Sequence, residues 1–114
     1  MAIPELEQKR AAVRLDKFCD RVPSHIRDQL VYHWKIRGNQ LTLIERRTAW
    51  RGKPGEFTDR SFARFQFDPL THRWMLKWSD RNGRFHPYEG FESVRSFDSL
   101  VDEIDSDPTG IFLG

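Results

Sequence analysis

The sequence predicts an α+β domain, a five-stranded antiparallel meander sheet with an N-terminal and a C-terminal helix packed on one face. Three observations carry this. Residues 74–88, W-M-L-K-W-S-D-R-N-G-R-F-H-P-Y, alternate apolar and polar side chains on both sides of Asn82-Gly83. That is the pattern of a hairpin closed by a two-residue type I′ turn, whose central residues take positive φ. Residues 32–47 repeat the pattern around Gly38-Asn39, whereas segments 4–20 and 96–106 carry apolar residues at helical spacing.

In chain order, residues 4–20 read as a helix whose inner stripe is Ala11 or Ala12, Leu15, and Phe18 or Cys19, with Lys9, Arg10, Arg14 and Lys17 elsewhere on its surface. Pro23 interrupts, and Ser24 to Leu30 fits a short second helix. The period then changes to two. Tyr32, Trp34 and Ile36 alternate with His33, Lys35 and Arg37, and Gly38-Asn39 leads into Leu41–Arg47. If those two residues are the loop, Arg37 faces Gln40, Trp34 faces Leu43 and Tyr32 faces Glu45. Ala63–Phe67 and Trp74–Trp78 form the next strands, joined by Asp68-Pro69-Leu70-Thr71-His72, where Pro presets the φ of the second turn position. The fifth strand is Arg84–Tyr88, an edge, because Pro87 donates no ladder hydrogen bond. Ser96 is the N-cap of a last helix with Phe97, Leu100, Val101 and Ile104 at i, i+3, i+4 and i+7. Asp107-Pro108-Thr109-Gly110 stops it, before an apolar tail, Ile111-Phe112-Leu113.

A meander sheet needs one face covered. The inward set is Tyr32, Trp34, Ile36, Leu41, Leu43, Ala63, Phe65, Phe67, Trp74, Leu76, Trp78 and Phe85. The length predicts a single domain, 1–114. Nine Phe, four Trp and two Tyr give the chain enough apolar area for a core, although 32% of its residues are charged. A lone cysteine, Cys19, forms no internal disulfide, and no segment has the length of a membrane span or the form of a signal peptide. The expectation is a cytoplasmic protein, monomer or weak dimer, with no membrane partner. The net charge of +2 hides an asymmetry, with residues 1–30 at +1, residues 31–88 at +7 and residues 89–114 at −6.

Further residues carry a resemblance. Phe18, Val22-Pro23, Arg37-Gly38-Asn39 and Glu45-Arg46-Arg47 followed by Trp50 continue with Phe65, Asp68-Pro69, Trp74-x-Leu76-x-Trp78-x-Asp80-Arg81-Asn82-Gly83-Arg84, His86 and Asp107-Pro108-Thr109-Gly110-Ile111-Phe112. With this pattern the chain resembles a small bacterial family of uncharacterised proteins, a domain of unknown function. Phe85 and Leu113 stand where that pattern has Trp. The resemblance spans nearly the whole chain; it implies the domain boundary and no activity.

Candidate sites follow from the parity of the strands. The outward set contains His33, Lys35, Arg37, Gln40, Thr42, Ile44, Arg46, Phe62, Arg64, Gln66, Arg73, Met75, Lys77, Ser79, Arg84 and His86, with seven Lys/Arg and no Asp or Glu. Opposite charges across strands stabilise a sheet, so a face of one sign points to a polyanion. A two-residue turn also places Arg81 opposite Arg84, a like-charge pair. The anion-binding candidates are therefore Lys35, Arg37, Arg46, Arg64, Arg73, Lys77, Arg81 and Arg84. The connection 49–60 adds Trp50, Arg51 and Lys53, and a connection of that length is often functional. Glu45 and Asp80, the carboxylates with inward parity, are either an acid–base pair or, more simply, ion-paired structural groups. His25, His33, His72 and His86 have no metal-ligand spacing, so no metal and no cofactor is expected. The acidic last helix either solubilises the domain, repels nucleic acid or meets a basic partner. The reading is a non-enzymatic binding module for nucleic acid or an acidic protein surface; the alternatives are a hydrolase or nuclease-like enzyme using Glu45 and Asp80, and a protein–protein adaptor using the apolar tail.

Overall fold

The computed structural model describes residues 3–48 and 55–113. Helix α1 spans Glu5–Cys19 and helix α2 spans Phe97–Ser106, before and after the five strands of one sheet in chain order. The strands are β1, Leu30–Arg37; β2, Gln40–Thr48; β3, Phe57–Asp68; β4, Arg73–Ser79; and β5, Phe85–Pro87. They lie in the order β1-β2-β3-β4-β5 and pair antiparallel throughout, the α+β meander that the alternation predicts. No helix among the described residues is long and apolar enough to cross a membrane.

Local chemistry explains the ends of these elements. Glu5 and Glu7 lie in the first turn of α1 and Lys17 in its last, each complementing the helix dipole. The Ser96 side chain accepts the backbone N–H of Ser99 at 3.3 Å, capping α2. Gly38 takes a φ of 60° in the β1–β2 turn, and the register is the one a two-residue loop requires: Arg37 with Gln40, Trp34 with Leu43, Tyr32 with Glu45. The segment predicted as a second helix, Ser24–Leu30, is only a 3-10 turn at Ser24–Ile26, because Leu30 is already the first residue of β1.

The core fills the space between the helices and one sheet face. Leu15, Phe65, Phe67, Leu76, Leu100, Ile104 and Phe112 have no measurable exposure. Trp74 is buried as predicted, its ring 5.0 Å from Phe67 and 4.8 Å from Phe97. Trp34 and Trp78 are half-buried instead, and Ile36 is 40% exposed. Trp34 sits at the rim, where its indole N–H donates to Asp16 at 2.8 Å. The two helices are joined by charge. Arg14 donates to Asp102 at 2.9 Å and Asp105 at 3.2 Å, and Arg21 donates to Asp105 at 2.8 Å. Asp102 and Asp105 of the acidic helix thus meet basic groups of the same chain. The tail folds back as well. Asp107, at a φ of 42°, ends α2, and its carboxylate accepts the N–H of Phe112 at 3.1 Å and of Leu113 at 2.8 Å. Phe112 packs 5.1 Å from Tyr88, so it offers no free surface to an adaptor partner.

Two one-residue shifts move side chains across the sheet. Strand β3 begins at Phe57 rather than Ala63, and its register with β2 slips between Leu43–Ala63 and Ile44–Ser61. The slip is a β-bulge that leaves Phe62 as the extra residue. Phe62, predicted to face outward, is 1% exposed and stands 5.7 Å from Tyr32 in the core. Ile44 keeps its outward parity opposite His33 and Ser61, yet is only 5% exposed. Beyond the bulge Asp59 pairs with Arg46 on the outer face and Arg60 with Glu45 on the inner one.

The β4–β5 turn is the second shift. Ser79 pairs with Phe85 and Trp78 with His86, which makes the loop three residues, Arg81-Asn82-Gly83. Gly83 N–H donates to the Asp80 carbonyl at 3.0 Å and Gly83 takes a φ of 79°, a type I turn followed by a left-handed glycine. The extra residue exchanges the faces of β5. His86 packs on Trp78 at 4.8 Å, and Phe85 lies on the outer face under Arg64 at 4.1 Å. Arg84 therefore stands across from Asp80, and the expected Arg81–Arg84 pair does not form.

Candidate functional site

The helices cover the inner face, and the outer face carries the cations. Combining the pairings of adjacent strands gives one straight row across four of them: Lys35 on β1, Thr42 on β2, Arg64 on β3 and Lys77 on β4. At the strand spacing of a sheet this row spans about 14 Å. A parallel row holds Arg37, Gln40, Gln66 and Met75. Among the described residues none of Lys35, Arg37, Arg64, Arg73, Lys77, Arg81 and Arg84 forms an ion pair.

Arg64 is the centre of the row. Its Nε donates to Thr42 Oγ1 at 3.2 Å, its guanidinium lies over the Phe85 ring, and Lys77 is directly opposite. Thr42 is itself buried. Burial lowers the Arg64 pKa from its usual value, the response of a cation losing water without gaining a carboxylate. Arg guanidinium remains charged at that depth.

The face is not free of acid, which corrects the sequence expectation. Asp59 and Asp68 occupy its two corners, opposite Arg46 and Arg73. Arg46 holds Asp59 through two bonds, 2.8 and 3.0 Å, and lies over Phe57 at 4.0 Å. The hydrogen bond raises the Arg46 pKa and keeps the Asp59 carboxyl below its ordinary value. Arg46 is thereby committed within the chain. Arg73 donates to the Ser93 carbonyl at 3.2 Å, and Arg81 and Arg84 belong to the exposed β4–β5 turn. Trp50, Arg51 and Lys53 lie outside the described residues.

The two carboxylates of the enzymatic alternative are held separately. Glu45 is 6% exposed; Arg47 Nε donates to it at 2.9 Å and Arg60 Nη2 is 3.7 Å away. Asp80 organises the turn. It accepts the N–H of Asn82 at 2.8 Å and of Arg84 at 3.0 Å, and His86 Nε2 lies 2.7 Å from its other oxygen. The His86 contact and then the backbone donors hold the Asp80 carboxyl below its usual range. Asp80 lines a cleft of about 460 Å³ with Asp59, Arg60, Arg64, Arg81 and Phe85, and Glu45 is not part of that lining. Cys19 is no stronger as a nucleophile, since burial pushes its thiol up to about 11.

Parity missed Arg60, and it misplaced Phe85. Both follow from the one-residue shifts. A signal for the second was in the sequence, because Asp80 and Gly83 are the residues favoured at the first and fourth positions of a type I turn.

No curated protein and no solved structure matches the chain. A family model does match, over residues 3–114 and so across the helices, the sheet and the folded tail, and the chain belongs to that family, the Domain of unknown function (DUF3024).

Proposed function

We propose that the domain is a binding module for a polyanion, with single-stranded nucleic acid as the polymer its outer face suits best. The observation that carries this reading is the row Lys35–Thr42–Arg64–Lys77. Like charges directly opposite each other destabilise a sheet, and a half-buried cation without a partner is unfavourable. An anion laid along the row relieves both. The aromatic rings of the outer face support a contact to phosphates more than to bases. Phe57 and Phe85 are already covered by Arg46 and Arg64, which leaves few open platforms for stacking. The expected binding is thus tolerant of sequence.

The test is fluorescence anisotropy of a labelled single-stranded oligonucleotide over a range of salt. Three phosphate contacts give a slope of about −2 in log affinity against log salt. Charge reversal at Lys35, Arg64 and Lys77 should abolish most of that slope, while reversal at Lys9 and Lys17, on the exposed side of α1, should leave it. Equal losses from both sets would refute the assignment to this face. Binding of an acidic protein in place of the oligonucleotide would keep the face and change the ligand.

A further inference from the structure

Strand β4 ends at Ser79, one residue past the Trp78 that pairs with Ala63. Strand β3 runs on toward Phe57 with β2 on one side and no β4 residue on the other. The cleft of about 460 Å³ occupies this gap, with the β4–β5 turn as its far wall. We propose that the cleft seats one phosphate group, held by the guanidinium groups of Arg64 and Arg81. The inference rests on the polyanion reading through Arg64, which belongs both to the row and to the cleft.

The donors and acceptors in the cleft point to an anion. Its two carboxylates are already committed, Asp59 to Nε and Nη2 of Arg46 and Asp80 to Asn82, Arg84 and His86. They offer little to a cation. The guanidinium groups are the open partners. Arg64 uses Nε for Thr42, and among the described residues its terminal nitrogens have no acceptor. Arg81, exposed in the turn, has none either. Each presents paired N–H donors that match two oxygens of a phosphate. Arg60 adds field more than contact, because its Nη2 donates to the Phe112 carbonyl at 3.2 Å and stands near Glu45. The hairpin carries Arg81 on a turn fixed by three bonds to Asp80, so the backbone from which its guanidinium reaches is ordered before the ligand arrives.

A phosphate here can belong to an internal phosphodiester, a phosphorylated strand end or a free phosphate. The test titrates the protein with inorganic phosphate, with chloride at matched ionic strength as control, and follows the arginine Nε–H resonances by NMR. Arg64 and Arg81 should shift saturably with phosphate alone. Arg81→Ala should weaken the response about tenfold, the loss of a charge-assisted hydrogen-bonded pair, and Lys9→Ala should leave it unchanged. Two oligonucleotides then separate the sources. Tighter binding of a phosphate-ended strand than of a hydroxyl-ended one, lost in Arg81→Ala, assigns the cleft to a strand end. Equal binding of the two, weakened in Arg81→Ala, assigns it to an internal phosphate. Saturation by inorganic phosphate with neither strand bound keeps the site and removes the polymer. Identical shifts with chloride, or oligonucleotide binding and phosphate shifts both untouched by Arg81→Ala, would overturn the proposal.

Discussion

Lys77→Glu should make the protein more stable and a poorer ligand for polyanions at the same time. Lys77 stands directly opposite Arg64 on the outer face, and no carboxylate pairs with either among the described residues. Two like charges about 6 Å apart repel by about 0.7 kcal/mol in water, within the roughly 0.2–1 kcal/mol range of cross-strand charge pairs. Reversal turns that repulsion into an attraction, a gain of about 1 kcal/mol. For a domain of this size the gain corresponds to roughly 4 °C in melting temperature. Arg64 keeps its bond to Thr42 and its place over Phe85, so the change is electrostatic and should shrink as salt is added. Thermal and urea unfolding followed by tryptophan fluorescence measure the first effect, and oligonucleotide anisotropy measures the second. A destabilised variant would refute the repulsion argument. A stabilised variant with unchanged affinity and salt slope would remove Lys77 from the interface.

Phe112→Ala should lower stability by about 3–5 kcal/mol, because a fully buried ring leaves a cavity; urea unfolding tests this, and sedimentation should give an unchanged mass. A loss below about 1 kcal/mol would mean that the tail contributes little packing. Glu45→Gln should destabilise by about 1–3 kcal/mol, since it leaves Arg47 and Arg60 without their shared carboxylate. A variant of unchanged stability would count against the structural role of Glu45. Asp80 gives a pH dependence. Its folded pKa lies below the ordinary carboxyl value, through His86 and the turn N–H groups. It therefore adds stability that is present above the unfolded carboxyl pKa and is lost as pH falls through the folded one. Asp80→Asn should flatten the acid limb of stability against pH, and an unaltered limb would show that the turn contacts are not coupled to folding.

The elements themselves were legible because they rest on local chemistry. Ser96 caps α2 and its stripe of Phe97, Leu100, Val101 and Ile104 is buried as spacing predicts. The β1–β2 register is the one that the Gly38-Asn39 turn chemistry predicts. Strand order followed, since short connections leave a meander as the simplest path. The cationic row was legible in part, because Lys35, Thr42, Arg64 and Lys77 share one parity.

The tertiary structure decided which residues surround that row. A strand has period two, so a shift of one residue sends every later side chain to the other face. Two such shifts occur. The bulge at Phe62 places Asp59 beside Arg46 and turns Arg60 inward, and the three-residue loop after Asp80 brings Phe85 under Arg64. Neither is visible in the alternation, because a bulge interrupts it by a single apolar residue and the loop keeps Asn-Gly at its end. The clamp of Arg14 and Arg21 on α2 was equally out of reach, since residues more than eighty positions apart meet only when both helices settle on one sheet. From sequence alone came the two long helices, the order of the five strands and the meander, because these rest on local periodicity and turn chemistry. The packing of α1 and α2, the bulge and the turn geometry determined which cations were already paired and which remained open to a ligand.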